Sequence, residues 1–376
     1  MSALTAWLER GVPERPTAWL YRAAYNRLVG WLRQDRGRGV ALAGSPPLED
    51  DEDDPASPFF DGELRDELLR MLFVCGDDAL PPDSRLVLAL KTLCGFGVGE
   101  IARALFTTEA NVHKRLTRAR DRLRDAAVEL TSPALDVARA RLPGVHAVLY
   151  LLFNEGYLSS HAEHAVRREL CDEAIRLGTL LAQHPVGDGP ETAALLALMH
   201  LHGARLAARQ DDAGALILLE DQDRSRWDQE ALAEGARWLA RSAQGATFTR
   251  YHAEAGIAAE HAFAPSFAQT RWAQIADLYA MLERLAPSPL HTLHRAVAIA
   301  EWQGPLAALA ALADVAPPTW LAGHHLWDAV LSDLHRRAGD HARARHHGAL
   351  AVDAAPTPAV KAALRRRLGI TSDGAP

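Results

Sequence analysis

The sequence predicts an all-α protein, and three observations carry that reading. Hydrophobic residues fill 48% of the 376 positions while aromatic ones fill only 6%, so the apolar content is mostly Leu, Ala and Val. Ala and Leu give up little side-chain freedom in a helix, whereas strands favour β-branched and aromatic side chains. Apolar residues recur at steps of three and four along most of the chain, and short Gly, Pro and Asp turns separate the resulting segments. A chain of this length divides into two or three domains.

The first element runs from Ser2 to about Arg36 and is broken near Gly11 to Pro16. Trp19, Leu20, Ala23, Ala24, Leu28 and Leu32 share a broad apolar face, which leaves Arg22, Asn26, Arg27 and Arg33 outside it. Two short helices bury little by themselves, so residues 1–38 lean on something else or are incomplete. Residues 39–60 lack periodicity and contain the uninterrupted acidic run Glu49, Asp50, Asp51, Glu52, Asp53 and Asp54. They read as a flexible linker, either a solvated spacer or a cover over a basic face.

Helical patterning resumes over residues 61–129, with elements near Asp61 to Phe73, Asp83 to Leu93, Gly99 to Phe106 and Glu109 to Val128. Pro82 suits the approach to the second, with Asp83 or Ser84 as its start. Residues 130–376 then give one Ala- and Leu-rich helix after another. The clearest are Leu142 to Leu152, Glu169 to Gln183, Thr192 to Ala208, Gln229 to Ala240, Ala253 to Phe263 and Trp272 to Leu285. Leu290 to Glu301, Pro305 to Ala313, Ala322 to Ala338, His341 to Ala354 and Pro358 to Leu368 follow. Helices joined by short turns must stack on their neighbours to hide their apolar faces, which predicts a helical-repeat region.

The formal charge of −7 is unevenly distributed. Met1 to Val40 carries seven Arg against three acidic residues, and Glu109 to Arg124 carries six basic residues against Glu109 and Asp121. A phosphate backbone responds to such local basic faces more than to the total.

Val98 to Arg124, VGEIARALFTTEANVHKRLTRARDRLR, is the most informative stretch. Ile101, Ala102 and Leu105 make the buried side of a first helix, Thr107 and Thr108 form a turn, and either hydroxyl can cap the next helix. Val112, Leu116, Ala119 and Leu123 recur at steps of four, three and four along an inner face. The same period puts Asn111, Arg115, Arg118 and Arg122 outside, with Lys114 beside them. This is the layout of a helix-turn-helix, in which base edges are read from the start of the second helix and phosphates from its flanks. Glu109, Asn111 and Lys114 are candidate base readers, Arg115, Arg118 and Arg122 candidate backbone contacts, and His113 suits either part.

The stretch resembles the domain-four helix-turn-helix of extracytoplasmic-function sigma factors. The matching positions are Ile101-Ala102, Val112, Arg115-Leu116 and Arg118-Ala119-Arg120. Pro16 to Arg33, PTAWLYRAAYNRLVGWLR, resembles the later helices of sigma domain two, with Trp19, Arg22, Asn26, Arg27 and Arg33 at matching positions. Gly30 stands where the family often has an acidic residue, and the earlier helices of domain two are not visible before Pro16. YLLFNEGY at Tyr150 to Tyr157, LEDQDRSRWD at Leu219 to Asp228 and the run from Leu285 to Leu312 are similar to the tetratricopeptide-like extension of one sigma subgroup.

The resemblance implies a partial sigma domain two, a sigma domain four and a tetratricopeptide-like helical domain. It implies promoter recognition at the minus-35 element, contact of the first segment with the minus-10 element, and bacterial core RNA polymerase as partner. A sigma-derived regulator unable to initiate transcription is the alternative, given the short front of domain two. The added domain is suited to a peptide or protein partner.

Asn154, Glu155, Asp221, Asp223, Arg224, Arg226 and Asp228 form polar islands between apolar helices, with Trp227 as a core plug beside them. They are either hydrogen-bonded braces or the lining of a groove. Three cysteines, Cys75, Cys94 and Cys171, are too few for a disulfide framework and read as reduced. The His pairs 161/164, 200/202 and 324/325 lack metal-site spacing and read as exposed helix histidines. No phosphate-binding Gly loop or serine-nucleophile elbow is visible. Only an acid-base pair among Glu155, Asp221 and Asp223 would suit an enzyme, so no catalysis, cofactor or metal is expected. The absence of a signal peptide and of a membrane-spanning run points to the cytoplasm.

Overall fold

The computed structural model describes residues 67–126, 133–159, 166–211, 214–318, 321 and 324–369. The candidate DNA contacts Arg22, Asn26, Arg27 and Arg33, the acidic linker and the start of the helix expected at Asp61 lie outside these residues. Among the described residues the fold is all-α: there is no strand, and an isolated bridge between Gln210 and Leu216 is the only extended pairing.

Two compact units are present. The first takes the described residues up to Ala102, Thr108–Val148 and His184–Val186. Its helices are α1 (Glu67–Cys75), α2 (Pro82–Thr92), α3 (Val98–Ala104, most of it), α4 (Glu109–Ala126) and the beginning of α5 (Leu135–Tyr157). Phe73, Leu90, Phe96 and Ile101 are fully buried at its centre. α2 begins at Pro82, ahead of the expected Asp83 or Ser84, because proline at the first helical position loses an N–H that had no partner to lose.

α5 corrects a boundary. It starts at Leu135, seven residues before the expected Leu142, and passes through Pro143. The turn that proline would break is held from outside. Ala138 is 2% exposed, and Arg141 sends Nη1 to the Phe73 carbonyl at 3.2 Å and Nη2 to Asp77 Oδ2 at 2.6 Å. Packing overrides local preference here.

The second unit takes Arg103–Thr107, Leu149–Gln183 and the residues from Gly187 onward. It holds α6 (Arg168–Gln183), α7 (Pro190–Gly203), α8 (Gln229–Ser242), α9 (Arg250–Phe263), α10 (Trp272–Leu285), α11 (Pro289–Gln303) and α12 (Pro305–Leu312). α13 (His325–Arg337), α14 (His341–Asp353) and α15 (Pro358–Leu368) complete it. α7 is buried from Thr192 to Met199 and again at Leu201, which fits a helix enclosed by neighbours: α6, α8 and α9 all pack on it. Further along, α10 packs on α11, α13 on α14 and α14 on α15.

The expected helix 192–208 ends at Gly203 and gives way to a 3-10 turn at Leu206–Ala208. Two more 3-10 turns, Leu219–Asp221 and Arg224–Arg226, precede α8. Gly156, at the end of α5, marks a tight crossing. A Cβ there would lie 2.7 Å from both the Cys171 backbone nitrogen and Sγ, and the Arg167 N–H donates to the Gly156 carbonyl at 2.7 Å. Only glycine lets the start of α6 pass this closely.

The histidines differ from expectation. His324 is half-buried and His325 is buried, while His200 and His202 are each half-buried, so these are packing residues more than surface ones. His161 and His164 lie outside the described residues. All three cysteines are free thiols; burial pushes Cys75 and Cys171 up to about 12, which makes them poor nucleophiles.

Candidate nucleic-acid interface

Local capping defines the starts of α3 and α4. The Gly97 N–H donates to the Glu100 carboxylate at the start of α3, and Ile101 N–H reaches the Gly97 carbonyl at 3.0 Å. Thr108 caps α4: its Oγ1 accepts from the Asn111 N–H at 3.2 Å, and its carbonyl accepts from Asn111 and Val112 at 3.0 Å each. Phe106, in the turn between them, holds φ +49°, the left-handed region that side chains other than glycine and asparagine rarely adopt.

The inner face of α4 is the one the period requires. Val112 and Ala119 are 0% exposed, Leu116 3% and Leu123 7%, while Ile101 at 0% and Ala102 at 5% close the core from α3. Glu109, Asn111, His113, Lys114, Arg118 and Arg122 are all exposed. Arg120 is exposed as well. Asn111, Lys114, Arg118 and Arg122 lie on the side away from the stripe, while Glu109 and His113, about 20° and 60° from Leu116, are exposed along its other flank.

Arg115 departs from that row. It is half-buried, with Nη2 3.5 Å from Asp83 Oδ2 of α2. Helical geometry explains this: at about 100° per residue, Arg115 lies about 40° to 60° from Ala119 and Val112, whereas Arg118 lies about 100° or more from both. Arg115 thus flanks the apolar stripe and is anchored by a carboxylate. Asp83 had no signature in the sequence, because the pairing depends on how α2 crosses α4.

The polar islands of the second unit fall into separate roles. Glu155 is buried and accepts from Ser159 Oγ at 2.8 Å, and Asn154 is half-buried nearby in α5. Asp223 accepts from Ser225 N at 2.9 Å and Oγ at 2.7 Å, bonds that hold its carboxyl below the usual range. Asp228 caps α8 by accepting from Ala231 N at 3.0 Å. Asp221 and Arg226 are exposed. Arg224 closes the end of α9, donating through Nη1 to the His261 carbonyl at 2.8 Å and the Ala264 carbonyl at 2.9 Å. Trp227, 3% exposed, sits in a core with Leu198, Leu201, Ala204, Ala255 and Ala258. Arg205, Arg209 and Gln222 join this region without having been singled out in the sequence, since basic side chains ordinarily face solvent.

Among the described residues no group of three or more His, Cys, Asp or Glu is placed to hold a metal ion, and no helix is long and apolar enough to cross a membrane.

Comparison with known proteins adds three findings. Residues 78–123 match the family described as Sigma-70, region 4, so the helix-turn-helix belongs to a sigma-factor-like protein. Residues 141–243 match a family of unknown function, DUF6596. An uncharacterized protein of Rhizobium meliloti (strain 1021) is 37% identical over 350 residues, covering 91% of this chain and 81% of that one. No solved structure matches the chain.

Proposed function

The chain belongs to the same family as that Rhizobium meliloti protein, and from this membership together with its sigma-70 region 4 we propose that it is an extracytoplasmic-function sigma factor that directs bacterial core RNA polymerase to promoters. The observation that carries the proposal is the division of α4 into a buried stripe at Val112, Leu116, Ala119 and Leu123 and an exposed polar face. Glu109, Asn111 and Lys114 read base edges of the minus-35 element in the major groove, Arg118 and Arg122 neutralise flanking phosphates, and His113 assists either. Arg115, held beside Asp83, sets the register from the flank of the helix. The role is non-catalytic and set in the cytoplasm, with promoter duplex and polymerase as partners. The helices after α5 form a tetratricopeptide-like domain that takes a peptide or protein partner.

The test is open-complex formation on promoter fragments by this chain with core polymerase. Promoter-dependent opening supports the proposal. Sequence-selective duplex binding without opening instead supports the second reading, a sigma-derived regulator. That reading draws on the size of the second unit, which lies outside the sigma match in all but Arg103–Thr107. Binding that is neither sequence-selective nor salt-dependent removes both.

A further inference from the structure

In the second unit, three arginines meet around two aromatic rings, and among the described residues no carboxylate pairs with them. The Arg224 guanidinium carbon lies 4.4 Å and that of Arg205 5.6 Å from the centre of the Trp227 ring, and that of Arg209 lies 3.7 Å from the centre of Tyr157. Tyr157 in turn packs 5.0 Å from His202. Arg205 is 6% exposed, and among the described residues none of the three guanidiniums makes an ion pair. The groups that act electrostatically on Arg205 are Tyr157, Arg209 and Arg224, two of them cations.

Several buried donors in this cluster have no partner: Arg209 Nε, Arg224 Nη2 and Trp227 Nε1. His202 Nδ1 and His261 Nδ1 are likewise unpartnered. Trp227 is itself 3% exposed, so its indole N–H has no recourse to water. A buried charge without a counter-charge and a buried donor without an acceptor are both costly, and here they coincide. The side chains are nevertheless held in place. Arg205 Nε donates to Gln222 Oε1 at 3.2 Å, Gln222 Nε2 donates to the Ile217 carbonyl at 3.1 Å, and Arg224 is fixed by the two carbonyls at the end of α9.

We infer that this cluster is a binding site for a phosphate-type oxyanion, with Arg205, Arg209 and Arg224 supplying the charge and Trp227 Nε1 an additional donor. Three guanidiniums exceed what one carboxylate neutralises, and their planar forks match the oxygens of phosphate. The two histidines stay neutral in this setting. Burial, followed by the nearby arginines, lowers His202 well below its usual value and His261 to about 4, so each offers one ring N–H near neutral pH. His261 also lines a cavity of about 210 Å³ with Phe267, Trp272 and Tyr279. Glu220 and Glu301 line it as well, so the space suits an uncharged aromatic part of a phosphate ester and disfavours a second anion.

The test is calorimetric titration of the full chain with inorganic phosphate, with phenyl phosphate and with chloride, repeated on Arg209→Met and Trp227→Phe after far-ultraviolet dichroism and melting show each variant folded. Phosphate heat that chloride does not give, weakened about tenfold or more in Arg209→Met, is the expected result. Tighter binding of phenyl phosphate identifies an ester as the ligand, and equal binding identifies the free anion; either supports the site. No heat from either phosphate compound, or undiminished binding in a folded Arg209→Met, overturns it. If Arg209→Met does not fold, Trp227→Phe decides: it removes the indole donor and part of the ring that Arg205 and Arg224 stack on, and unchanged phosphate affinity in it overturns the site.

Discussion

Asp83 and Arg115 are joined across α2 and α4 at 3.5 Å, the carboxylate 77% exposed and the guanidinium 22% exposed. An acidic group therefore sits at the edge of the surface read as the DNA interface. Removing it with Asp83→Asn frees one positive charge for phosphate. The expected outcome is tighter non-specific duplex binding and a log-log salt slope steeper by about one unit, measured by fluorescence anisotropy across salt concentrations. An unchanged slope would place Arg115 away from the backbone.

Arg118 and Asn111 separate register from readout. Arg118→Ala should weaken binding to all duplexes alike and reduce the salt slope by about one, since an exposed arginine on the flank meets phosphate. Asn111→Ala should cost about 1–3 kcal/mol on the preferred sequence and much less on others. Competition between specific and random duplexes distinguishes the two patterns.

Gly156→Ala tests the crossing of α5 and α6. The added methyl would meet backbone atoms of Cys171 and Arg167 at 2.7 and 2.8 Å, and backbone cannot swing aside as a flexible side chain can. A loss of about 1–3 kcal/mol in urea unfolding is expected, with DNA binding by the helix-turn-helix retained.

Acid should destabilise the first unit through His146. Its ring is 0% exposed, and burial lowers it from 6.5 to about 4. The folded state then binds fewer protons than the unfolded state between these values. Stability is accordingly full above pH 6.5 and falls as pH drops toward 4, with a slope of up to about 1.4 kcal/mol per pH unit. His146→Gln, which keeps a polar side chain of similar reach but cannot titrate, should flatten that slope in denaturant melts at a series of pH values.

The inner face of α4 could be read from the sequence because periodicity is a local property: Val112, Leu116, Ala119 and Leu123 declare themselves without knowledge of any other element. The bounds of α10 at Trp272–Leu285 and of α15 at Pro358–Leu368 agree with the pattern. In α15 the signals are Thr357 as cap, Pro358 at the first position and Gly369 in the left-handed conformation after the last turn. What escaped was long-range or counter to type. Arg115 was placed with the free surface arginines because its partner lies in another helix. Arg205 and Arg209 give no sign in the sequence of being buried or half-buried, because arginine is by default a surface residue. The turn at Phe106 carries a positive φ on a side chain that gives no hint of it, where glycine would have. Asp223 and Asp228 stand out in the sequence as polar residues between apolar helices, but their capping roles depend on where each helix begins.

The two bonds from Arg141 bear on how the molecule is dissected. A fragment ended at the last residue of the sigma-70 match, 123, or shortly after it would strip Phe73 of one carbonyl partner and leave the Asp77 carboxylate facing no guanidinium. An expression boundary at about Val148, within α5, keeps that tie and all of the first unit's described residues except His184–Val186. A fragment that keeps the tie therefore carries residues 141–148, which belong to the first unit although sequence matching assigns them to the family of unknown function.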